Sequence, residues 1–249
     1  MSGFIGTGKI KVADYGGAAA FAGRKFIDIG NASAFQYSFS ENKQELRDYQ
    51  DPAGGTADSV SRIDTVSGQI DMRNFRADNL AMALWGTTAA LNTTAITGES
   101  GYKIVPGAFI PTARLINTSI APVVKKGATT ILAADYTVSK GGITIAAAIT
   151  TGTVVSGDPI TIDYTPVASN DVQALINSAP NVSIFFEGVN QVDGKYTTVR
   201  IYKAKLSVAK AVDMVGDSFG TLQLDFTISK DTTVSGAGIS QFLKMEVEA

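Results

Sequence analysis

Residues 220–230, GTLQLDFTISK, alternate without a slip. Leu222, Leu224, Phe226 and Ile228 fall on one side, and Thr221, Gln223, Asp225, Thr227 and Ser229 on the other. A period of two is that of a β-strand with one buried face. Residues 60–73, VSRIDTVSGQIDMR, repeat the pattern, with Val66, Ile70 and Met72 against Thr65, Ser67, Gln69 and Asp71. So do residues 35–40, where Phe35, Tyr37 and Phe39 oppose Gln36, Ser38 and Ser40. Three strands with small hydrophilic side chains along one flank pose the functional question: what does that flank face?

Between 35–40 and 60–73 in the chain, residues 47–59 (RDYQDPAGGTADS) have no period and are rich in Asp, Gly and Ala, which predicts a long exposed loop. After residue 73 the period changes. Leu80 and Leu84 are four apart, as are Ala81 and Trp85. With Asn74 as a cap and Gly86 as a stop, this predicts a helix over 75–85 whose Leu80, Leu84 and Trp85 pack on a sheet. Further strands are expected near 182–188 and 196–210, with a turn at 213–220. Residues 98–168 differ in composition: short strands divided by Gly, Lys-Gly and Asp-Pro turns, with few charges. They read as an inserted small β module in a domain made of 1–97 plus 169–249. The fold class expected is mainly β (α+β), as two packed antiparallel sheets in a sandwich or half-barrel with one flanking helix.

Composition narrows the chemistry. The chain of 249 residues is 45% hydrophobic, which supports a sizeable core. It has no Cys, so disulfides and thiolate chemistry are excluded, and no His, the commonest general base and metal ligand. With 21 basic and 23 acidic residues, it lacks the positive excess of a nucleic-acid binder. No apolar run of about eighteen residues predicts a membrane-spanning helix. The N-terminus has no apolar stretch of signal-peptide type, so a cytoplasmic origin is expected, and the Asn-x-Ser/Thr triplets at Asn31, Asn92, Asn117 and Asn181 read as chance.

The motifs are weaker than their ordinary alternatives. Residues 3–10, GFIGTGKI, have phosphate-loop spacing, but Ile10 replaces the magnesium-binding hydroxyl and no strand can precede residue 3. A flexible Gly-rich arm is the expectation there. Asp48, Asp51 and Asp58 fit no calcium-loop spacing, and Asp158 with Asp163 is not marked as a glycosidase pair. Lys195, Arg200, Lys203, Lys205 and Lys210, interleaved with Tyr196 and Tyr202, admit a nucleic-acid reading. Exposed strand lysines that deter unwanted pairing are the simpler one. No catalytic constellation, cofactor site or metal site emerges, and no enzyme activity is expected.

Three stretches in sequence order carry a resemblance. Residues 38–86 give strand, loop, strand and a helix ending in Trp85-Gly86. Residues 184–231 contain Gly188-x-Asn190, Arg200–Ala204 and Gly216–Leu222. Residues 135–145, DYTVSKGGITI, look like a β insert. Together they resemble the major tail tube proteins of tailed bacteriophages, relatives of the type VI secretion tube protein. The resemblance implies a homohexameric ring, with rings stacked into a hollow tube that conducts DNA during ejection. It implies a virion location after assembly in the host cytoplasm, with tape-measure, tail terminator and distal tail proteins as partners and no membrane. About 24 strands at ~4.8 Å make a circumference of roughly 115 Å, wide enough for a duplex. A neutral or acidic lining suits passage, since a basic one would hold phosphates. The lumen-facing set is then Gln36, Ser38, Thr65, Ser67, Gln69, Asp71, Gln223, Asp225 and Thr227. Arg47, Asp48, Asp51 and Asp58 of the loop would reach a neighbouring ring, and the 98–168 module would lie on the exterior. The alternatives are a secretion-tube subunit with protein cargo and a β-rich adhesion or binding module.

Overall fold

In the computed structural model, residues 5–16, 20–50 and 54–249 are described. In chain order the strands are β1 (Gly6–Asp14), β2 (Ile27–Asp28), β3 (Ala32–Arg47) and β4 (Thr56–Met72), then helix α1 (Ala77–Ala83). There follow β5 (Thr87–Leu91), β6 (Ile96–Lys103), β7 (Phe109–Pro111), β8 (Val123–Lys126), β9 (Thr129–Thr130), β10 (Tyr136–Ser139), β11 (Gly142–Ile145), β12 (Pro159–Tyr164) and β13 (Ser169–Gln173). The chain ends with β14 (Asn181–Asn190), β15 (Tyr196–Leu206), β16 (Leu222–Ile228) and β17 (Leu243–Val247). The mainly β reading with one helix holds.

The chain divides into two compact units, residues 1–88 with 172–249, and residues 89–171. The second unit begins before and ends after the 98–168 module, because composition marks where charges thin out, whereas β6 already starts at Ile96 and pairs with β12 as far as Tyr164. The two crossings, β5 and β13, pair with each other.

In the first unit one continuous eight-stranded sheet runs β2-β1-β14-β15-β16-β4-β3, with β17 also on β15. β15 makes the turn of the sheet. Its first half, Thr197–Ile201, pairs with β17, and its last residues, Ala204–Leu206, pair with β16. A register shift against β14 separates the halves, as expected where a bulge bends a strand. The two ends of the sheet thereby face each other. Phe35 of β3 lies 5.5 Å, ring to ring, from Phe186 of β14 and 6.4 Å from Phe226 of β16. Ile10, Ile184, Ile201, Ile70, Leu224 and Phe226 share one core, which Phe75, Leu80 and Met82 cover from the helix side.

Two glycine positions are set by that core. A Cβ on Gly68 of β4 would meet the Phe226 ring at 2.3 Å, and one on Gly8 of β1 would meet Phe186 at 2.7 Å. The Gly-rich segment after residue 5 is accordingly a strand, not the flexible arm expected from composition. Gly6–Asp14 pairs with β14 along its length, and Gly3 and Phe4 lie outside the described residues. No phosphate-loop turn exists there.

The helix is shorter than 75–85. Its cap position is Arg76, without a side-chain cap bond, rather than Asn74. Its end is a Schellman turn: Gly86 N–H donates to the Ala81 carbonyl at 2.7 Å and Trp85 N–H to that of Met82 at 3.5 Å. Trp85, not Gly86, takes the left-handed conformation, at φ 50°. Gly86 is needed for another reason, since a Cβ there would lie 2.1 Å from the Gln173 carbonyl oxygen. Of Leu80, Leu84 and Trp85, Leu80 packs on the core and the other two are half-buried beside it; Asn79, Ala81 and Ala83 are the buried positions.

A buried ion pair pins two connections to the back of the sheet. Arg24, between β1 and β2, and Asp231, after β16, have side chains 1% and 0% exposed and meet at 3.1 Å. Arg24 also donates to Ser183 Oγ and the Tyr202 carbonyl, and Asp231 accepts from Tyr15 Oη and Thr233 Oγ1. Burial pushes the Asp231 carboxyl up, but the bonds from Thr233, Arg24 and Tyr15 outweigh it and hold it below the usual Asp range. The second unit has its own core around Ile104, Ile116, Ile143 and Ile162. There Asp135 receives four bonds from the backbone and hydroxyls of Thr150 and Thr151, which hold its carboxyl at about 2.

Gly68→Ala should cost about 1–3 kcal/mol by driving a methyl into the Phe226 ring, read as a lower denaturation midpoint at unchanged slope; an unchanged midpoint would contradict this packing. Asp231 stabilises the fold fully above the ordinary Asp value of ~3.9, and this contribution is lost as pH falls through the lower folded value. Asp231→Asn should therefore be less stable at neutral pH and lose less further stability than the native chain below pH ~4. Parallel urea-midpoint curves for the two proteins across that window would rule the argument out.

Candidate functional site

All nine residues of the expected hydrophilic flank lie on the outer face of β3, β4 and β16. Each alternates with a core residue of the same strand, such as Tyr37, Val66, Ile70, Leu224 or Phe226. The register aligns them in rows. Gln36 stands opposite Gln69, which stands opposite Asp225; Ser38, Ser67 and Thr227 form the next row; Asp71 faces Gln223; and Thr65 faces Ser40.

Two side-chain bonds tie the face across β3 and β4, and two more run along β4 and β16. Gln36 Nε2 donates to Gln69 Oε1 at 3.3 Å, the Ser38 and Ser67 hydroxyls meet at 3.1 Å, Gln69 Nε2 donates to Asp71 Oδ1 at 2.7 Å, and Gln223 Nε2 donates to Asp225 Oδ1 at 3.2 Å. Every partner is a neutral amide or hydroxyl, or a carboxylate satisfied by one. Seven of the nine are thus bonded to one another, which leaves those groups less free to grip a passing molecule.

Sequence reasoning named Lys205 and Lys210 as strand-borne cations but did not place them at the border of this face. Lys210 Nζ lies 2.6 Å from Asp225 Oδ2, and Lys205 of β15 stands opposite Thr227, extending the serine–threonine row. The bend in β15 breaks its alternation, so the side taken by Lys205 cannot be counted off from residue 196. The Lys210 pair is exposed and adds little to stability, but it neutralises one of the two acids on the face.

The 47–59 loop is shorter than expected, because both of its ends are strand. β3 and β4 pair as far as Arg47 opposite Thr56, leaving a connection of 48–55. Asp58, expected in the loop, sits in β4 opposite Leu46; Arg47 ends β3; Asp48 makes a tight turn by accepting the Gln50 N–H at 2.8 Å; and Asp51 lies outside the described residues. The Asp, Gly and Ala content was misleading because the flanking residues form a two-stranded ribbon that is wet on both faces and so carries no apolar period. Glu41–Arg47 and Thr56–Thr65 are exposed throughout, and an arm of this length reaches ~24 Å. Phe39, Leu46, Val60 and Ile63 are large apolar side chains exposed on it.

The remaining charged candidates are separately engaged. Asp163 pairs with Lys125 at 2.5 Å and Asp158 with Lys126 at 2.6 Å. Lys203 lies 4.9 Å from the Tyr15 ring centroid, and Arg200 lies 3.6 Å from Glu246. Among the described residues no group of three or more Asp, Glu, His or Cys is arranged to hold a metal ion.

No curated protein matches the chain. Residues 3–246 match a family described as "Protein of unknown function UCP028589", and the chain belongs to that family.

Proposed function

We propose that this chain is the building block of a bacteriophage tail tube: six copies close into a ring, rings stack, and the outer face of β3, β4 and β16 lines a bore through which DNA passes. The role is structural, in the virion, with tape-measure, tail terminator and distal tail proteins at its ends.

The observation that carries this reading is the edge strand beside the polar face. β3, sixteen residues long, pairs only with β4 among the described residues. Its other edge presents a row of unpaired backbone groups next to the neutral face. Such an edge invites pairing with another chain, and ring closure removes it without exposing apolar surface. The arm adds a second argument. A two-stranded ribbon standing free in water is marginally stable, so β3 and β4 beyond Ser40 and Thr65 need a covering partner. A neighbouring copy supplies one.

The face suits nucleic acid in transit. Binding strength to a duplex scales with the number of phosphates neutralised by Lys and Arg. On this face Gln, Ser and Thr dominate, Asp71 and Asp225 are acidic, and of the two cations at its border Lys210 is spent on Asp225 while Lys205 stands beside Thr227 at the end of one row. The 89–171 unit is placed on the exterior in this reading, where its bulk leaves the bore open.

Joining Lys43 to Ser61, which face each other, by an Asn-Gly turn removes the outer arm while keeping register. The product should be a folded protein that no longer forms rings or tubes in negative-stain micrographs; normal tube yield would count against the arm's role. The bore assignment has its own check, because the chain is free of Cys. Thr227→Cys should react with a small maleimide and with a bulky polymer maleimide in the monomer, but only with the small one after assembly. Equal access of the bulky reagent to tubes would place this face outside.

A further inference from the structure

The outer edge of the arm carries a charge order that answers itself. The Asp48 N–H turns inward to the Gly55 carbonyl at 2.9 Å. Both register shifts within the arm skip a residue of β4, Asp64 and Ala57, and none of β3, so β3 alternates regularly there. The N–H and C=O groups of Glu41, Lys43, Glu45 and Arg47 therefore turn outward. Among the described residues no strand lies on that edge. The same four side chains share one face, are exposed, and run acid, base, acid, base.

Laid antiparallel on a second copy with Gln44 opposite Gln44, the row is complementary at every position. Glu41 meets Arg47 and Lys43 meets Glu45, each twice, and the outward backbone groups of these residues face one another. Other registers fail. A slip of two residues one way sets Glu41 against Glu45 and Lys43 against Lys43. A slip of two the other way sets Lys43 against Arg47 and Glu45 against Glu45. A slip of one sets outward backbone groups against inward ones, which breaks the ladder. In the complementary register Tyr49 of the tip, 86% exposed, also comes level with Phe39 of the other copy, 58% exposed. The arms run in opposite directions, so each tip meets the other's base and the two bodies stand at opposite ends.

We propose that two free subunits join through this edge as a two-fold dimer, with a four-stranded ribbon β4-β3-β3-β4 centred on Gln44. The partner is a second copy because the charge row complements itself in one register and repels itself in its neighbours. Pairing also turns a two-stranded ribbon, marginal alone in water, into a four-stranded one. The contact is isologous and therefore closed: it makes a pair and cannot grow into a ring or a filament. It covers a single strand edge, so it is reversible. The inference goes beyond the tube reading. It describes the subunit before assembly, in a form that occupies the β3 edge and must open before a ring can close.

The test uses the full chain, which has no cysteine. Gln44 faces itself in a non-hydrogen-bonded pair, where Cα atoms lie about 4.5 Å apart, within disulfide reach. Gln44→Cys should give a disulfide dimer under mild oxidation, whereas Asn42→Cys, opposite Leu46, should give none at the same concentration. Lys43→Glu creates two like-charge contacts and should raise the dimer Kd, read by sedimentation at low salt, by about tenfold or more. Adding Glu45→Lys restores opposite pairs and should return the native Kd, an outcome that loss of folding could not produce. Added salt should weaken the native dimer. A Gln44→Cys chain that does not cross-link, or a dimer that Lys43→Glu leaves unchanged, would overturn the inference. Tubes built from a chain that is monomeric at every lower concentration would overturn it and leave the tube reading intact. A charge-sensitive dimer cross-linked at position 44 that never yields rings would support it and count against the tube reading.

Discussion

The structure depends on one constraint: a single long sheet must bury one face against itself. β16 and β4 supply the floor of that fold, and Phe226 lying on Gly68 is its tightest point. Because the alternation is strict there, everything on the other side of the same backbone is committed to the outside. Core packing and the hydrophilic flank are thus one decision. A one-residue slip of β16 against β4 would put Asp225 in the core and Phe226 in water. The register that buries Leu222, Leu224 and Ile228 is what aligns Gln69 with Asp225 and Ser67 with Thr227.

Folding a sheet on itself closes its faces but leaves its edges. Among the described residues, β1 is paired by β2 at Lys11 and Val12, with one further bond from the Ile29 N–H to the Ile10 carbonyl, and β3 has no strand on its outer edge. The depression between β1, β14, β17 and the start of β3, about 720 Å³, marks where the two ends of the sheet approach without joining. Within one chain these edges remain open. In the proposed tube these edges are where neighbouring copies would pair.

What the sequence disclosed, and what it hid, follows from how periodic signals arise. Strands with one dry face announced themselves: 220–230, 60–73 and 35–40 read as alternation because Phe226, Ile70 and Phe35 sit on one core. The same alternation placed all nine flank residues on one face. The arm gave no signal because both its faces are wet, so strand residues such as Asp58 looked like loop. The first strand was hidden by its glycines, which weaken strands on average, yet Gly8 leaves the room that Phe186 fills. Gly86 looked like a helix stop of the usual kind, but Trp85 took the left-handed position and Gly86 was needed for the approach of Gln173. Pattern locates elements; close contacts between distant residues settle their ends.

An open edge and an apolar arm would be hazards in a free subunit, and the arm's chemistry offsets them. Glu41, Glu45, Asp48, Asp58 and Asp64 stand among Lys43, Arg47 and Arg62, so charges of both signs flank each exposed Leu46, Val60 and Ile63. Among the described residues of the arm one close pair forms, Lys43 with Glu45 at 2.6 Å, and it is exposed. A register shift between Ser40 and Glu41 kinks the ribbon where it leaves the sheet, which hinders flat strand addition by an arbitrary chain. A partner must therefore match a twisted ribbon with alternating charge, not merely offer an edge. A second copy in fixed orientation can do so, whereas a random collision pays to desolvate the charges. In the proposed tube, the charges that would deter random pairing would also make assembly selective.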